Sequence, residues 1–223
     1  MTKKLLLIPI VHSEKEMGSL KSDISEIIDE KFGKEKRDEH RRQVAEFWDN
    51  LRILITGILN RTQGMLIRIY QDGIPIGGEI GARLIAMGAK DGIPNFQIVL
   101  AIIESGGIIE KTEDPALLKE EYEIVKAIVM AKTGPVRESL SEKYKNRLYD
   151  LTAERDRYIA KRIAESLNEG ELGILFIGAT HEVAKYLPGD IDLCICNFRP
   201  DDITAWLAGG KQKTASPTNG QVR

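Results

Sequence analysis

The chain has 223 residues, of which 42% are hydrophobic and 30% are charged, and its formal net charge is -2 at neutral pH. This length and composition suffice for one sizeable core and favour a single domain over a tandem of small modules. The absence of a basic excess argues against nonspecific binding to nucleic acid or to an anionic membrane surface. The longest apolar run, residues 5–11, is too short to cross a bilayer, so we expect a cytoplasmic protein.

The two cysteines of the sequence lie two residues apart in a predicted strand, where their side chains share one face. A disulfide between Cys194 and Cys196 would close almost no loop and would stabilise little. Half of a thiolate metal site is the alternative, but zinc sites usually have four ligands in a recognisable pattern. We therefore expect two reduced, buried cysteines.

The chain begins with a continuously apolar segment, Lys4–Val11, which predicts a strand that is covered on both faces of a parallel sheet. Pro9 cannot donate to a strand ladder, so this strand lies near an edge or leaves regular pairing at Pro9. The strand ends at His12. A helix capped by Ser13 or Ser19 and continuing to about residue 31 is predicted to follow.

The next segment, from Glu35 to about residue 58, has apolar residues at steps of three and four, including Phe47 and Trp48, and predicts a long helix. Residues 65–70 predict a second strand, and Asp72 and Gly73 a turn after it. Residues 73–92 are rich in glycine and contain a helical pattern at Ile80, Leu84 and Met87. Glycines inside a helix indicate close backbone packing or the approach of a ligand.

Three further helices are predicted at about residues 95–103, 115–132 and 136–168, the second of them capped by Asp114. In the third helix, Arg155 falls in the middle of an apolar stripe formed by leucine, tyrosine and isoleucine residues. An arginine in that position needs a partner. Arg162 lies near the same face.

The run from Gly170 to Val183 predicts a buried strand that stops at Gly178-Ala179-Thr180-His181. A short helix and a last strand at residues 191–195 follow, and residues 209–223 lack periodicity and predict a disordered tail. The predicted fold is a single α/β domain over residues 1–208, with a small, mainly parallel sheet surrounded by many helices.

Two of the three histidines, His12 and His181, follow directly after apolar strands. If these strands are parallel neighbours, the imidazoles converge at the sheet edge where α/β proteins bind ligands. Imidazoles serve as metal ligands and as general acids and bases near neutral pH. The carboxylates that could complete such a site are those of Glu14, Glu16, Asp72, Glu79 and Glu182.

Arg155 is the predicted cationic residue of this site, where it could hold a substrate carboxylate or phosphate or stabilise an oxyanion. Two structural alternatives remain open. Arg155 could pair with a buried carboxylate such as Asp72 or Glu79, and Glu79 could pair with Arg83, four residues further along one helix. Either histidine could also be an ordinary turn residue.

Three features of the sequence resemble the superfamily that includes TraB-type proteins, ChaN-like haem-binding lipoproteins and erythromycin-esterase-type enzymes. They are a strand ending in His12, the inward Arg155 within Glu154–Ala160, and Gly178-Ala179-Thr180-His181, in that order. The superfamily has Gly-x-x-His at both histidines, whereas the first copy here has Pro9 in place of the glycine. The resemblance implies an α/β fold. It implies less about chemistry, because members include metal-dependent peptidases, metal-free esterases and tetrapyrrole-binding proteins.

The leading hypothesis is a hydrolase-like enzyme that acts on a small ester, amide or carboxylate. In it His12 and His181 are metal ligands or acid/base groups, Asp72 or Glu79 supplies a carboxylate, Gly178 and Arg155 contact the ligand, and a divalent metal, if bound, activates water. The second hypothesis is a non-catalytic protein that binds a small ligand or a tetrapyrrole such as haem. The third is an assembly protein in which Phe47 and Trp48 pack against a second copy in a homodimer.

Overall fold

The computed structural model describes residues 2–11 and 34–210, which form an α/β fold built on one five-stranded parallel sheet, as predicted. The order of the strands across the sheet is β3-β2-β4-β1-β5. Their bounds are β1 Lys3–Ile10, β2 Ile67–Gln71, β3 Ile108–Ile109, β4 Leu172–Gly178 and β5 Ile191–Ile195. The short β3 was not predicted from the sequence.

Helices cover both faces of this sheet. The bounds of the helices are α1 Lys34–Arg61, α2 Gly78–Lys90, α3 Pro94–Glu104, α4 Pro115–Val129, α5 Gly134–Ser166 and α6 Pro200–Leu207. A 3₁₀ turn, Val183–Tyr186, follows β4. The predicted helix before residue 31 and the predicted disordered tail beyond residue 210 lie outside the described residues.

Alternate residues of β1 enter two separate cores, which is why the strand is apolar throughout. Leu6 and Ile8 belong to the larger core, against α1, α2, α3 and α6. Leu5 and Leu7 belong to the smaller core, against α5. The middle of the strand, Leu5 to Ile8, is thus covered on both faces, as expected for an inner strand of a parallel sheet.

The position of Pro9 agrees with the prediction that the strand is near an edge there. The carbonyl of Leu7 accepts a hydrogen bond from the backbone N–H of Cys196, so the odd-numbered residues of β1 direct their backbone groups towards β5. The pairing between β1 and β5 ends at Leu7 and Ile195. Pro9 therefore lacks its N–H on the side where the neighbouring edge strand has already ended.

The predicted capping of α4 is confirmed, because the carboxylate of Asp114 accepts hydrogen bonds from the N–H groups of Ala116 and Leu117 at 2.7 and 3.3 Å. The apolar side of α1 also faces the core, as predicted. Trp48 is only 2% exposed and therefore belongs to the core of its own chain, not to a dimer interface. Both cysteines are reduced and buried, in agreement with the prediction.

The face that α2 presents to solvent was not expected. Its buried residues include Gly81, Ile85 and Gly88, while Ile80 and Met87, which carry the helical pattern of the sequence, are 62% and 66% exposed. The glycines lie on the buried face because there is no room for a side chain. A Cβ atom on Gly88 would lie 2.1 Å from the ring of Phe96.

Candidate functional site

The carboxyl ends of the central strands meet at one edge of the sheet, and the candidate site lies there. Ile10 at the end of β1 is paired with Gly178 at the end of β4, and Gln71 at the end of β2 is paired with Phe176. The two strands that were predicted to deliver histidines are therefore parallel neighbours. His181 is in the described part of the chain, whereas His12, Glu14 and Glu16 lie outside it.

Arg155 projects from α5 into this edge and is 5% exposed. Its Nη2 donates to Asp72 Oδ1 at 2.7 Å and to Glu113 Oε1 at 2.5 Å, and its Nε donates to Glu113 Oε2 at 3.2 Å. Its Nη1 donates to Glu121 Oε2 at 2.5 Å. Four of the five N–H donors of the guanidinium thus bind carboxylates of the protein. This geometry matches the alternative in which Arg155 pairs with Asp72.

Glu113 is the most deeply buried member of the cluster, with a side chain that is fully inaccessible to solvent. Burial raises its pKa above the ordinary value, against the lowering effect of the hydrogen bonds and the charge of Arg155. For Arg155 itself, burial lowers the pKa, but the hydrogen bonds and the charge of Glu113 outweigh burial and raise it. Arg155 therefore stays charged within the cluster.

His181 is held by a carboxylate from the residue next to Arg155. Its Nδ1 lies 2.6 Å from Asp156 Oδ1, and Asp156 Oδ2 accepts the backbone N–H of Glu182 at 2.7 Å. The side chains of His181 and Asp156 are 6% and 3% exposed. A carboxylate acceptor at Nδ1 favours the tautomer that carries its proton on Nδ1, which leaves the lone pair on Nε2.

Asp72 connects Arg155 to His181. Its Oδ1 accepts from Arg155, its Oδ2 accepts the backbone N–H of Gly178 at 3.0 Å, and the same Oδ2 lies 3.9 Å from His181 Nε2. This last separation is too long for a direct hydrogen bond. An oxygen atom beside the line between the two atoms would lie about 2.8 Å from both, which is hydrogen-bonding distance.

Other residues predicted for the site have different positions. Glu79 is in the first turn of α2, where its carboxylate is 90% exposed and lies 3.7 Å from Arg83, as in the alternative that paired these two residues. Glu182 has its side chain on the surface against Lys185 and contributes only its backbone N–H. Gly178 likewise contributes a backbone N–H, to Asp72. The structure thus brings together Asp72, Arg155, Gly178 and His181, but not Glu79.

The sequence reasoning missed three acidic members of the cluster: Glu113, Glu121 and Asp156. Asp156 gave a usable signal, because it directly follows Arg155 and lies three residues before Ile159 of the apolar stripe. Glu113 lies just before the N-cap residue of α4, after a strand of two residues that has no recognisable pattern. Its position is fixed by its own N–H and that of Thr112, which both donate to the carbonyl of Ile74 at 3.1 Å.

The carboxylates around His181 already accept hydrogen bonds from donors of the protein. Asp72 and Asp156 use both of their oxygens for N–H donors of the protein, and Glu113 uses both for Arg155. Within residues 2–11 and 34–210 there is no group of three or more histidine, cysteine or acidic side chains that could hold a metal. His181 is thus the one predicted ligand that the structure places, and its carboxylate neighbours act as hydrogen-bond acceptors.

Comparison of the chain with models of known protein families, with functionally curated proteins and with solved structures finds no match. Among the helices of the described residues, none has the length and apolar character needed to cross a membrane.

Proposed function

We propose that this protein is a hydrolase-like enzyme that uses His181 as the general base towards water, on a small ester or amide substrate. The observation that carries the proposal is the hydrogen bond between His181 and a buried carboxylate that is itself fixed by a backbone N–H. An Asp–His pair of this kind holds the imidazole in the tautomer and orientation that proton transfer requires, and it stabilises the imidazolium that forms.

The role of each residue follows from its contacts. Water between His181 Nε2 and Asp72 Oδ2 would give one proton to Nε2 as its oxygen bonds to the carbonyl carbon and the C=O π pair moves to the carbonyl oxygen. When this intermediate collapses, the bond to the leaving alcohol or amine breaks, and the imidazolium returns its proton to that leaving group. Asp156 would stabilise the resulting imidazolium. Arg155 is a positioning residue here, because its guanidinium is committed to Asp72 and to Glu113 and holds the first of these at the required place. This positioning role replaces the expectation from the sequence that Arg155 contacts the substrate directly.

The surroundings of His181 favour acid/base chemistry over the tetrapyrrole-binding alternative. An axial histidine in an apolar cleft without nearby carboxylates would have supported binding of haem. Instead, Asp156 lies 2.6 Å from one ring nitrogen and Asp72 lies 3.9 Å from the other. The relationship to the TraB, ChaN-like and erythromycin-esterase-type superfamily remains part of the proposal, supported by the placement of Arg155 and of Gly178 to His181 at one sheet edge.

The test is hydrolysis of a panel of p-nitrophenyl esters of short carboxylic acids and of the matching anilides. His181→Gln should reduce kcat/KM by about 10²–10⁴-fold. His40→Gln is the matched control, because His40 is exposed on α1; this variant should retain full activity. Turnover that survives in His181→Gln, or that is lost equally in His40→Gln, contradicts the proposal.

A second measurement separates the role of Asp156 from a loss of folding. Asp156→Asn should reduce kcat with little change in KM, because the amide no longer enforces the Nδ1–H tautomer. In ¹⁵N-edited NMR spectra, the neutral imidazole of His181 should carry its proton on Nδ1 in the parent protein and shift towards the other tautomer in this variant. An Nε2-protonated ring in the parent protein is incompatible with general base catalysis at this position.

A further inference from the structure

An apolar stripe runs along the solvent-facing side of α2. Ile76 lies just before the helix, and Ile80, Leu84 and Met87 follow at steps of four, four and three residues; their exposed fractions are 37%, 62%, 39% and 66%. These spacings place the three side chains within the helix, Ile80, Leu84 and Met87, on one side of it. A contiguous exposed apolar stripe with a charged border is typical of an interaction surface.

Three charged residues border this stripe on the same flank. At 100° per residue, Glu79, Arg83 and Lys90 all lie within about 40° of one another, beside the stripe. Glu79 is in the first turn of α2 and Lys90 is in the last, so the acidic end and the basic end of the flank are about 16 Å apart along the helix axis.

This arrangement is self-complementary for one geometry only. When two copies of α2 pack antiparallel about a two-fold axis perpendicular to the helices, the same flank of each helix meets the other with its direction reversed. Glu79 of each copy then lies beside Lys90 of the other, and Ile80 lies opposite Met87, with Leu84 close to the axis. In a parallel pair the charged flank would instead meet the opposite flank, which contains the buried glycines Gly81 and Gly88.

We propose that α2 is the interface of a homodimer, with the stripe Ile76, Ile80, Leu84 and Met87 packed antiparallel against the same stripe of a second copy. Arg83 lies near the middle of the pair, where the carboxylate of Glu79 of its own chain, 3.7 Å away, offsets its charge. The surface differs from the one considered from the sequence, because Trp48 belongs to the core. The proposal is independent of hydrolase activity.

The dimer is a weak one. A helix of 13 residues is about 20 Å long and about 10 Å wide, so this face covers on the order of 200 Å² in projection, well below the ~800 Å² per partner of a standard interface. We expect an affinity well below that of a standard interface. Self-association should therefore be visible at high protein concentration.

Sedimentation velocity of the full chain between about 5 μM and 1 mM is the first test. Ile80→Lys should weaken dimerisation at least tenfold. Ile53→Lys is the control, because it changes an equally apolar side chain, 71% exposed, on α1, and it should leave the dimer unchanged. A chain that stays monomeric at 1 mM, or a dimer lost in Ile53→Lys but not in Ile80→Lys, overturns the proposal. Binding of the monomer to phosphatidylcholine/phosphatidylserine vesicles that is lost in Ile80→Lys would also overturn the proposal.

Exchange of the two flanking charges tests the antiparallel geometry. Glu79→Lys and Lys90→Glu should each weaken the dimer several-fold, because each places like charges together twice. The double variant Glu79→Lys/Lys90→Glu should restore the parent affinity. If the loss of affinity in the double variant equals the product of the losses in the two single variants, these residues do not meet across the interface.

Oxidative cross-linking gives an independent reading of register. Leu84→Cys should form a disulfide with itself, since residue 84 is close to the two-fold axis. Ile80→Cys and Met87→Cys should cross-link poorly alone and well when the two proteins are mixed. A parallel dimer would instead cross-link each variant with itself. The parent protein is the control, because both of its cysteines are buried.

Discussion

Replacement of Arg155 by methionine should destabilise the protein because it leaves buried carboxylates without their cation. Arg155 is 5% exposed and donates to Asp72, Glu113 and Glu121. Removal of one partner from a buried ion pair costs about 3–5 kcal/mol, against a total stability of about 5–15 kcal/mol for a domain. We therefore expect Arg155→Met to lower the free energy of unfolding by about 3–5 kcal/mol at pH 8.

The loss should depend on pH in a defined direction. Burial raises the pKa of Glu113 even with Arg155 present, and without Arg155 the folded-state pKa rises further. A carboxyl group whose pKa is higher in the folded than in the unfolded state favours folding when protonated. The stability that protonated Glu113 contributes is therefore fully present below pH ~4.5. It is lost as the pH rises through the folded-state pKa. The free energies of unfolding of the variant and the parent protein should therefore differ less at pH 5 than at pH 8.

Urea unfolding at both pH values measures this difference. Arg162→Met is the control, because Arg162 is on the same helix but is more exposed and pairs with Glu165 at the surface; it should cost less than about 1 kcal/mol. Adding Glu113→Gln to Arg155→Met should recover about 1–3 kcal/mol, since it removes a buried charge and keeps the shape. Equal unfolding free energies for the two arginine variants at pH 8, or no recovery in the double variant, would refute the reasoning.

Three further outcomes are expected. Hydrogen bonds from Arg68 lower the pKa of Glu171 to about 2, so its contribution to stability is lost as the pH falls from about 4.5 towards 2, and Glu171→Gln should cost about 1–2 kcal/mol at pH 7 in urea unfolding but little at pH 2. Gly88→Ala should destabilise by about 1–3 kcal/mol because its Cβ meets a phenylalanine ring, whereas Gly57→Ala within α1, where it meets only a flexible side chain, should stabilise by about 0.5–1 kcal/mol; equal thermal midpoints would contradict this. Burial raises the pKa of Cys194 to about 11 and also raises the pKa of Cys196, so both thiols should react with a thiol reagent at pH 8 only after unfolding.

The strands and long helices could be predicted because their signals are local. A continuously apolar β1 requires cover on both faces, and the apolar periodicity of α1 and α5 identifies the sides that are buried. Arg155 was found for the same reason, since a charge inside an apolar stripe interrupts a regular pattern. Gly178 to His181 was found because a buried strand stops there.

The sequence determined which segments form strands and helices, and that an arginine and a histidine reach the same sheet edge. Only the tertiary structure decided what they touch. Asp72 directly follows β2 and Glu113 lies between β3 and α4, both far from α5 in the sequence. Their contacts with Arg155 depend on the order in which the strands are placed. Packing also decided which side of α2 is buried. The ring of Phe96 leaves no room for a side chain at Gly88, so the glycine side faces inward and Ile80 and Met87 remain exposed. Periodicity shows that a helix has two faces, but only its neighbours select the buried one.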